Sequence, residues 1–321
     1  MIMAGAAHVR PGALPGTPSA TESDGQVTHR IIRAAGTAAV SGGNVMPYVT
    51  VGQENSAPVD LYYEDHGSGR PVVLIHGFPL SGRAWERQER ALIADGHRVV
   101  TYDRRGFGKS GRPATGYDYD TFAADLDKLI TALDLRDLDI AGHSMGGGEI
   151  ARYLGTRGSE RVRRAAIVSG IPPYLLKTPE TPNGVPREAF TEIEKALAAD
   201  RFAYFTEWNK NFFNTDQTLG TRISPEAVQD CWNTAVSASP AGTIACVATW
   251  RTDFRADLPK IDIPVLVMHG TADRILPAEA CGPRTHELIR NSEYAAVEGA
   301  DHGLCWTYAE EVNERLIRFF A

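Results

Sequence analysis

The pentapeptide from Gly142 to Gly146 carries a side chain suited to nucleophilic chemistry, the hydroxyl of Ser144. Its pattern, G-x-S-x-G, lies between a strand-like run, Leu138 to Ala141, and a helix-like run that begins near Gly147. A serine at so sharp a turn presents its hydroxyl above the N-terminus of the helix. Glycines are needed at both ends because a side chain there would collide with neighbouring backbone. The segment therefore predicts a nucleophile elbow.

A serine nucleophile needs a base, and the base needs a group that orients it. In a parallel sheet, such groups lie on loops at the carboxyl ends of strands. Asp273 follows the strand-like run Val265 to Met268, and His302 follows the run that ends at Val297. The order serine, acid, histidine fits this topology. We predict Ser144 as nucleophile, His302 as general base and acid, and Asp273 as the group that fixes the imidazole tautomer.

Three other residues compete for these roles. Asp301 adjoins His302, but sequence neighbours seldom point at one another across a turn, so it is the weaker acid candidate. His143 flanks the serine, and its side chain is expected to turn away from Ser144, which leaves it a structural or substrate-binding role. His269 follows a strand but precedes Asp273, too early for the expected order.

The reaction also needs two N–H donors for the oxyanion. The backbone N–H of Met145, directly after the nucleophile, is one candidate. The second is the N–H of Phe78, in the turn that follows the strand-like run Val72 to Ile75. Pro79 fixes its own φ and pushes Phe78 toward an extended conformation, which stiffens this turn.

Composition excludes several classes of function. The chain of 321 residues has 43% hydrophobic and 23% charged residues, as in ordinary soluble proteins, and a net charge of -7 offers no basic face to nucleic acid. No apolar stretch approaches the ~20 residues that cross a bilayer. The cysteines show no C-x-x-C spacing, which argues against a zinc site and does not require disulfides. We expect no metal and a cytoplasmic location. The cysteines are Cys231, Cys246, Cys281 and Cys305.

Residues 1–45 differ from the remainder of the chain. They are rich in Ala, Gly, Thr, Ser and Pro and show neither sustained apolar periodicity nor the hydrophobic core of a secretion signal. We predict a disordered or non-native extension, with Met46 as a candidate natural start, and a single domain over residues 46–321.

Within that domain, short β-branched runs alternate with helical stretches, which predicts an α/β fold with a mostly parallel, doubly wound sheet. The run Val162 to Arg164 is interpreted as a helix-to-strand connection. Helices are predicted at about 82–95, 120–134, 147–156, 276–290 and 307–320. The eight predicted strands lie at 48–52, 59–64, 72–75, 98–102, 138–141, 165–169, 265–268 and 294–297.

Residues from about 171 to 235 interrupt the alternation. This stretch is helical and loop-like, with several prolines and many large aromatic residues. An insertion between two strands of the sheet is typical of a cap over an active site, with some aromatics lining a pocket and the others forming the core of the cap. We predict Trp208 as a substrate-binding residue of this cap.

Together, these motifs make the chain resemble the α/β-hydrolases, and more narrowly the cofactor-free bacterial haloperoxidases and perhydrolases. The resemblance covers roughly 46–321. Besides the elbow and the predicted triad, it rests on His76-Gly77-Phe78-Pro79, on Asp103-Arg104-Arg105-Gly106-Phe107-Gly108-Lys109-Ser110, on Glu149, on 252–257 and on 273–277.

The resemblance implies an α/β-hydrolase fold with an eight-stranded sheet and a helical cap. It also implies a serine-esterase mechanism without cofactor, acting on esters, carboxylic acids and peroxide, and a homo-oligomer. In the family, a proline directly after the oxyanion residue accompanies perhydrolysis, and Pro79 occupies that place, so we expect Pro79 to be a substrate-binding residue. Two alternatives stay open: hydrolysis of another bond (lactone, lactam or C–C), and a binding protein that kept the fold. Ser144 argues against relatives that use a carboxylate nucleophile.

Overall fold

The computed structural model describes residues 47–321. The predicted N-terminal extension, 1–45, lies outside the described residues, as does Met46. In the described part, strands and helices alternate along the chain from Tyr48 to Phe320.

Eight strands form one sheet in the order β1-β2-β4-β3-β5-β6-β7-β8. Strands β1 and β2 run antiparallel to their neighbours, and the six strands β3 to β8 are mutually parallel. The predicted mostly parallel eight-stranded sheet is confirmed. The strands are β1 (Tyr48–Glu54), β2 (Ala57–Gly67), β3 (Pro71–Ile75), β4 (Arg98–Tyr102), β5 (Leu138–His143), β6 (Val162–Val168), β7 (Val265–Gly270) and β8 (Ser292–Val297).

Helices cover both faces of the sheet, because its central strands alternate between two apolar cores. Val73 and Ile75 of β3 belong to the core shared with α2, α3 and the helices between β6 and β7, whereas Val72 and Leu74 face the core that α1 and α10 complete. In the described residues the helices are α1 (Glu86–Ala94), α2 (Tyr119–Ala132), α3 (Met145–Arg157), α4 (Arg187–Phe212), α5 (Thr215–Thr218), α6 (Pro225–Ser237), α7 (Pro240–Thr249), α8 (Gly282–Leu288), α9 (Leu304–Thr307) and α10 (Ala309–Phe320).

The insertion between β6 and β7 contains α4 to α7. Helical structure therefore continues past the predicted end of the insertion at about 235 and stops at Thr249. Helix α7 was missed because it is apolar on most sides and so lacks an amphipathic pattern. Its start nevertheless carries ordinary signals: Ser239 caps the helix by accepting the N–H of Gly242, and Pro240 occupies the first turn.

The interpretation of 162–164 as a connection was wrong, since these residues open β6. The guanidinium of Arg163 contacts both carboxylate oxygens of Asp139 on the neighbouring strand, at 3.0 and 2.6 Å. This ion pair lets charged residues occupy the start of a buried strand.

Among residues 47–321, no helix has the length and apolar character to cross a bilayer.

Candidate active site

The sharp turn at Ser144 depends on the glycines at both of its ends. Ser144 ends the strand β5 with φ 57° and ψ -115°, a conformation that side chains rarely adopt, and α3 begins at the next residue. A Cβ on Gly142 would lie 2.4 Å from the carbonyl oxygen of Gly146, and one on Gly146 would lie 2.4 Å from that of Ile75. Only glycine fits at either end, because backbone occupies the space.

Ser144, His302 and Asp273 lie within hydrogen-bond distance of one another. Nε2 of His302 is 2.9 Å from Oγ of Ser144, and Nδ1 is 2.7 Å from Oδ2 of Asp273. The other carboxylate oxygen, Oδ1, accepts the N–H groups of Ile275 and Leu276, each at 2.8 Å. The arrangement suits removal of the serine proton by the imidazole, with the acid fixing its tautomer.

The negative charge of Asp273 is stabilised by two neighbouring histidines. Burial alone would raise the pKa of Asp273, but the interactions with His302 and with His269 outweigh it and hold that pKa well below its usual range. The carboxylate is therefore ionised and ready to stabilise an imidazolium.

The two competing acidic and basic residues occupy other positions. Asp301 accepts a hydrogen bond from Oγ1 of Thr307 at 3.0 Å through Oδ1, while its buried Oδ2 has no partner in the described part of the chain. Burial raises the pKa of Asp301 to about 6. His269 lies beside the candidate acid, with Nε2 3.3 Å from Oδ2 of Asp273.

His143 lies behind the nucleophile and not in the cavity in front of it. Its Nε2 is 2.8 Å from the carbonyl oxygen of His302, so it holds the backbone of the candidate base. Burial, followed by the neighbouring His302, lowers the pKa of His143 to about 3, which keeps the ring neutral. The structure therefore gives this predicted substrate-binding residue a supporting position, because its side chain leaves the strand on the side away from the serine hydroxyl.

The two backbone N–H groups predicted to bind the oxyanion are available to a ligand. In residues 47–321 neither Phe78 nor Met145 donates its backbone N–H to another protein group. The carbonyl oxygen of Gly77 accepts the N–H of Leu80 at 3.0 Å and lies 2.8 Å from Nδ1 of His76. These bonds hold the Gly77 carbonyl, and through the planar peptide they fix the direction of the Phe78 N–H.

A buried polar network supports that turn from below. Nε2 of His76 accepts the backbone N–H of Arg104 at 2.9 Å, and the Arg104 guanidinium donates to the His76 carbonyl oxygen at 2.9 Å. Burial, followed by Arg104, lowers the pKa of His76 well below its usual value, so the ring is a neutral acceptor. Arg104 in turn pairs with Glu149 of α3 at 2.7 Å, and the Tyr102 hydroxyl also donates to Glu149.

A cavity of about 220 Å³ opens in front of Ser144. Its wall is mostly apolar, with polar side chains from Ser144, Asn211 and Arg274. Trp208 is among the lining residues, whereas Pro79, the other residue expected to bind substrate, is buried outside the wall of the cavity and forms a cis peptide bond with Phe78. The remaining apolar and aromatic lining residues are Phe78, Met145, Ile171, Leu175, Val185, Phe190, Ile193, Tyr204, Trp250, Ile275 and Leu276.

Sequence reasoning missed several of these residues. Trp250 follows α7, the helix that had no recognisable pattern, and it packs on Phe78 with ring centroids 4.9 Å apart. Arg274 lies next to the predicted acid and makes two contacts with the Asp216 carboxylate of α5, at 2.7 and 3.1 Å. The charge of Arg274, next to the predicted acid, could have marked it in the sequence as a candidate site residue. Nothing local identifies its partner, which lies on the inserted helices.

Among the described residues, one group has the side chains to hold a metal ion. Glu64, His66 and Glu89 bring one ligand atom each within 4.8 Å of the others. The Lys109 ammonium lies 3.7 Å from Glu64 and competes for that carboxylate. None of the three lines the cavity at Ser144.

The fold and sequence of this chain are shared with known proteins. Residues 70–309 match the family model described as "alpha/beta hydrolase fold". The chain is 56% identical over 274 residues to a putative non-heme chloroperoxidase of Synechocystis, covering 85% of this chain and 99% of the relative. It is 33% identical to a bifunctional esterase/perhydrolase of Acinetobacter calcoaceticus, covering 81% and 96%. Among solved structures, a bromoperoxidase from Bacillus anthracis is similar, with 44% identity, a TM-score of 0.82, and 85% and 98% of the two chains covered.

Proposed function

This chain belongs to the alpha/beta hydrolase family, and on that premise we propose that it is a serine esterase whose acyl-enzyme is released by water or by hydrogen peroxide. The observation that carries the proposal is the continuous path from Oγ of Ser144 through His302 to Asp273, at 2.9 and 2.7 Å. The names of the relatives support the peroxide-dependent half of the proposal.

In the first half-reaction, Nε2 of His302 takes the Ser144 proton as Oγ attacks the ester carbonyl carbon. The negative charge that develops on the carbonyl oxygen is stabilised by the N–H groups of Phe78 and Met145, which have no protein acceptor in the described part of the chain. The imidazolium, stabilised by Asp273, then gives the proton to the leaving alcohol. The product is an acyl ester of Ser144.

In the second half-reaction, His302 removes a proton from the incoming nucleophile. Attack by water gives the carboxylic acid, and attack by hydrogen peroxide gives the peracid, with the proton returned to Ser144 in both cases. Released peracid oxidises halide by transferring one oxygen atom, which yields the carboxylate and hypohalous acid. The same site forms the acyl-enzyme from a free carboxylic acid with loss of water.

Pro79 is proposed to favour peroxide in this second step. It follows the oxyanion residue Phe78 directly, and the turn is held by the Gly77 hydrogen bonds described above. The physical idea is that a carbonyl of the turn accepts a hydrogen bond from the incoming peroxide. Replacement of Pro79 by Leu should lower the ratio of peracid formation to ester hydrolysis, and an unchanged ratio would end the idea.

The acyl group is proposed to be apolar and larger than acetyl. A cavity of about 220 Å³ exceeds the volume of one acetyl group, and its apolar wall favours a hydrocarbon chain or ring. Trp208→Ala should lower kcat/KM for p-nitrophenyl hexanoate by about 10-fold while changing the value for the acetate ester by less than about threefold. The matched control is Phe202→Ala in the same helix, since Phe202 is 52% exposed. Equal losses on both esters would contradict the acyl assignment.

The decisive experiment compares the wild type with Ser144→Ala on two assays: hydrolysis of p-nitrophenyl acetate, and bromination of monochlorodimedone with acetate and peroxide. Loss of both activities in the variant is expected, because both pass through the acyl-serine. Mass spectrometry of a quenched reaction should find the acyl group on the peptide that carries Ser144. Bromination that survives the substitution would overturn the shared intermediate.

Two further properties extend the proposal. A cytoplasmic location and a homo-oligomeric state are expected from the sequence and the resemblance. Fractionation of the producing cell tests the first, and light scattering of the purified chain tests the second.

A further inference from the structure

His269 is a fully buried histidine near the end of β7 that the proposed mechanism does not use. Its Nε2 lies 3.2 Å from the carbonyl oxygen of Leu276 and 3.3 Å from Oδ2 of Asp273. Both neighbours are acceptors, so Nε2 carries a proton. Within residues 47–321 the buried Nδ1 has no hydrogen-bond partner, which fits the tautomer whose ring proton is on Nε2.

This N–H group lies between the two ends of the loop that carries the catalytic acid. The loop is closed on one side by Oδ1 of Asp273, which accepts the N–H groups of Ile275 and Leu276. His269 closes it on the other side, through the Leu276 carbonyl oxygen. Helix α8 packs closely against this histidine, since a Cβ added to Gly282 would lie only 2.8 Å from the His269 Cβ.

We propose that His269 is a positioning residue for Asp273, and that its Nε2–H fixes the acid loop and shares the negative charge of Oδ2, so that the carboxylate faces His302 in one orientation. The inference rests on the proposed serine mechanism and deepens it. His269 does not line the cavity at Ser144, so its effect reaches the substrate only through the triad.

Charge sharing gives the proposal a signature in the pH profile. Loss of the donor raises the pKa of Asp273, which the His269 contact helps to lower, and directs more of the carboxylate charge at His302. More negative charge then reaches the triad, and the acid limb of log(kcat/KM) moves to higher pH. The other ionisable groups around the cluster are His143, Cys281 and Asp301. Because burial raises the pKa of Asp301 to about 6, its own titration falls within the measured pH range. Each variant is therefore also made with Asp301→Asn.

The test compares two substitutions that differ in one group. His269→Gln keeps an N–H donor near the position of Nε2, and His269→Leu removes it. We expect kcat/KM of the Leu variant to fall by about 10-fold, with its acid limb displaced upward, and that of the Gln variant to stay within about threefold with an unmoved limb. If the Leu protein does not fold, His269→Met fills a similar volume without a donor. Equal losses in Gln and Leu, or an unmoved limb in Leu, would overturn the proposal.

Two further readouts do not depend on the identity of the ester. The rate at which a fluorophosphonate labels Ser144 reports triad reactivity directly, and it should follow the order wild type, Gln, Leu. The downfield proton resonance between His302 and Asp273 should shift in Leu and stay in place in Gln. If the wild type is labelled but cleaves no ester, the proposed esterase function fails while these comparisons still decide the role of His269. An unchanged labelling rate in Leu would contradict that role.

Discussion

At the scale of single residues, different surroundings give two neighbouring carboxyl groups different pKa values. Asp273 receives hydrogen bonds and histidine neighbours that hold its pKa well below its usual range. The side chain of Asp301, adjacent to the candidate base, is also buried, but among residues 47–321 one of its carboxylate oxygens has no partner, and burial raises its pKa to about 6. Two acids of the same type thus differ in charge near pH 5, because only one of them is compensated.

This difference predicts a pH dependence of stability. The folded pKa of Asp301 lies above the ordinary value of 3.8, so the folded protein holds this proton more tightly than the unfolded chain does. The resulting stabilisation is present below pH 4 and is lost as the pH rises from about 4 through about 6. Relative to Asp301→Asn, the wild type should lose up to about 3 kcal/mol of unfolding free energy over that interval.

Urea unfolding of both proteins at pH 4 and pH 8 measures the effect, since ionisations common to the two cancel in the comparison. Asn keeps an oxygen for the Thr307 hydroxyl, so the difference reports the proton and not the hydrogen bond. A pH-independent difference between the two proteins would show that Asp301 titrates alike in the folded and unfolded states.

At the scale of elements, the oxyanion turn after β3 packs directly against the nucleophile elbow. A Cβ on Gly77 would lie 2.8 Å from Cβ of Ser144 and 2.9 Å from Nδ1 of His143. Gly77→Ala should therefore displace the turn, move the Phe78 N–H away from the oxyanion, and lower kcat by about 100-fold or more.

The control for this change is Gly52→Ala in β1, where an added Cβ would meet nothing within 4 Å. Its kcat should equal that of the wild type. Both proteins are compared with p-nitrophenyl acetate after circular dichroism has shown that they are folded. Wild-type kcat in Gly77→Ala would mean that the Phe78 N–H does not stabilise the oxyanion.

The elements also show what the sequence was able to predict. The sheet and the positions of Ser144, Asp273 and His302 follow from local runs and chain order, because parallel strands bring their carboxyl ends to one edge. Helix α7 and Trp250 carry no such local signal. The contact of Arg274 with Asp216 likewise joins a loop of the sheet to an inserted helix, and no periodicity links residues 58 positions apart.

At the scale of the whole molecule, buried polar groups connect the layers of the fold to the site. Arg104 follows β4, Glu149 lies on α3, and His76 follows β3, so one network spans strands and helix beneath the oxyanion turn. In the sequence, Arg104 and Glu149 stood out only as parts of the motifs that carry the family resemblance. Their pairing is a tertiary contact, 45 positions apart in the chain.

The network predicts a large stability effect from a small chemical change. Glu149→Gln keeps the shape of the side chain but removes the charge that compensates the Arg104 guanidinium, which is 1% exposed. An unpaired charge in that position should lower the free energy of unfolding by about 3–5 kcal/mol. The Arg83–Asp230 pair, at 3.3 Å on the surface, provides the control, and Asp230→Asn should change stability by less than about 1 kcal/mol.

Chemical denaturation of the three proteins at neutral pH separates these cases, and raising the salt concentration sharpens the comparison, because salt screens the surface pair and not the buried one. The esterase assay adds a second readout, since Arg104 also donates to the His76 carbonyl oxygen that precedes the oxyanion turn. The Gln variant should lose kcat as well as stability. If it unfolds at the wild-type denaturant concentration, Arg104 finds its compensation elsewhere, and the network is not what ties the oxyanion turn to the core.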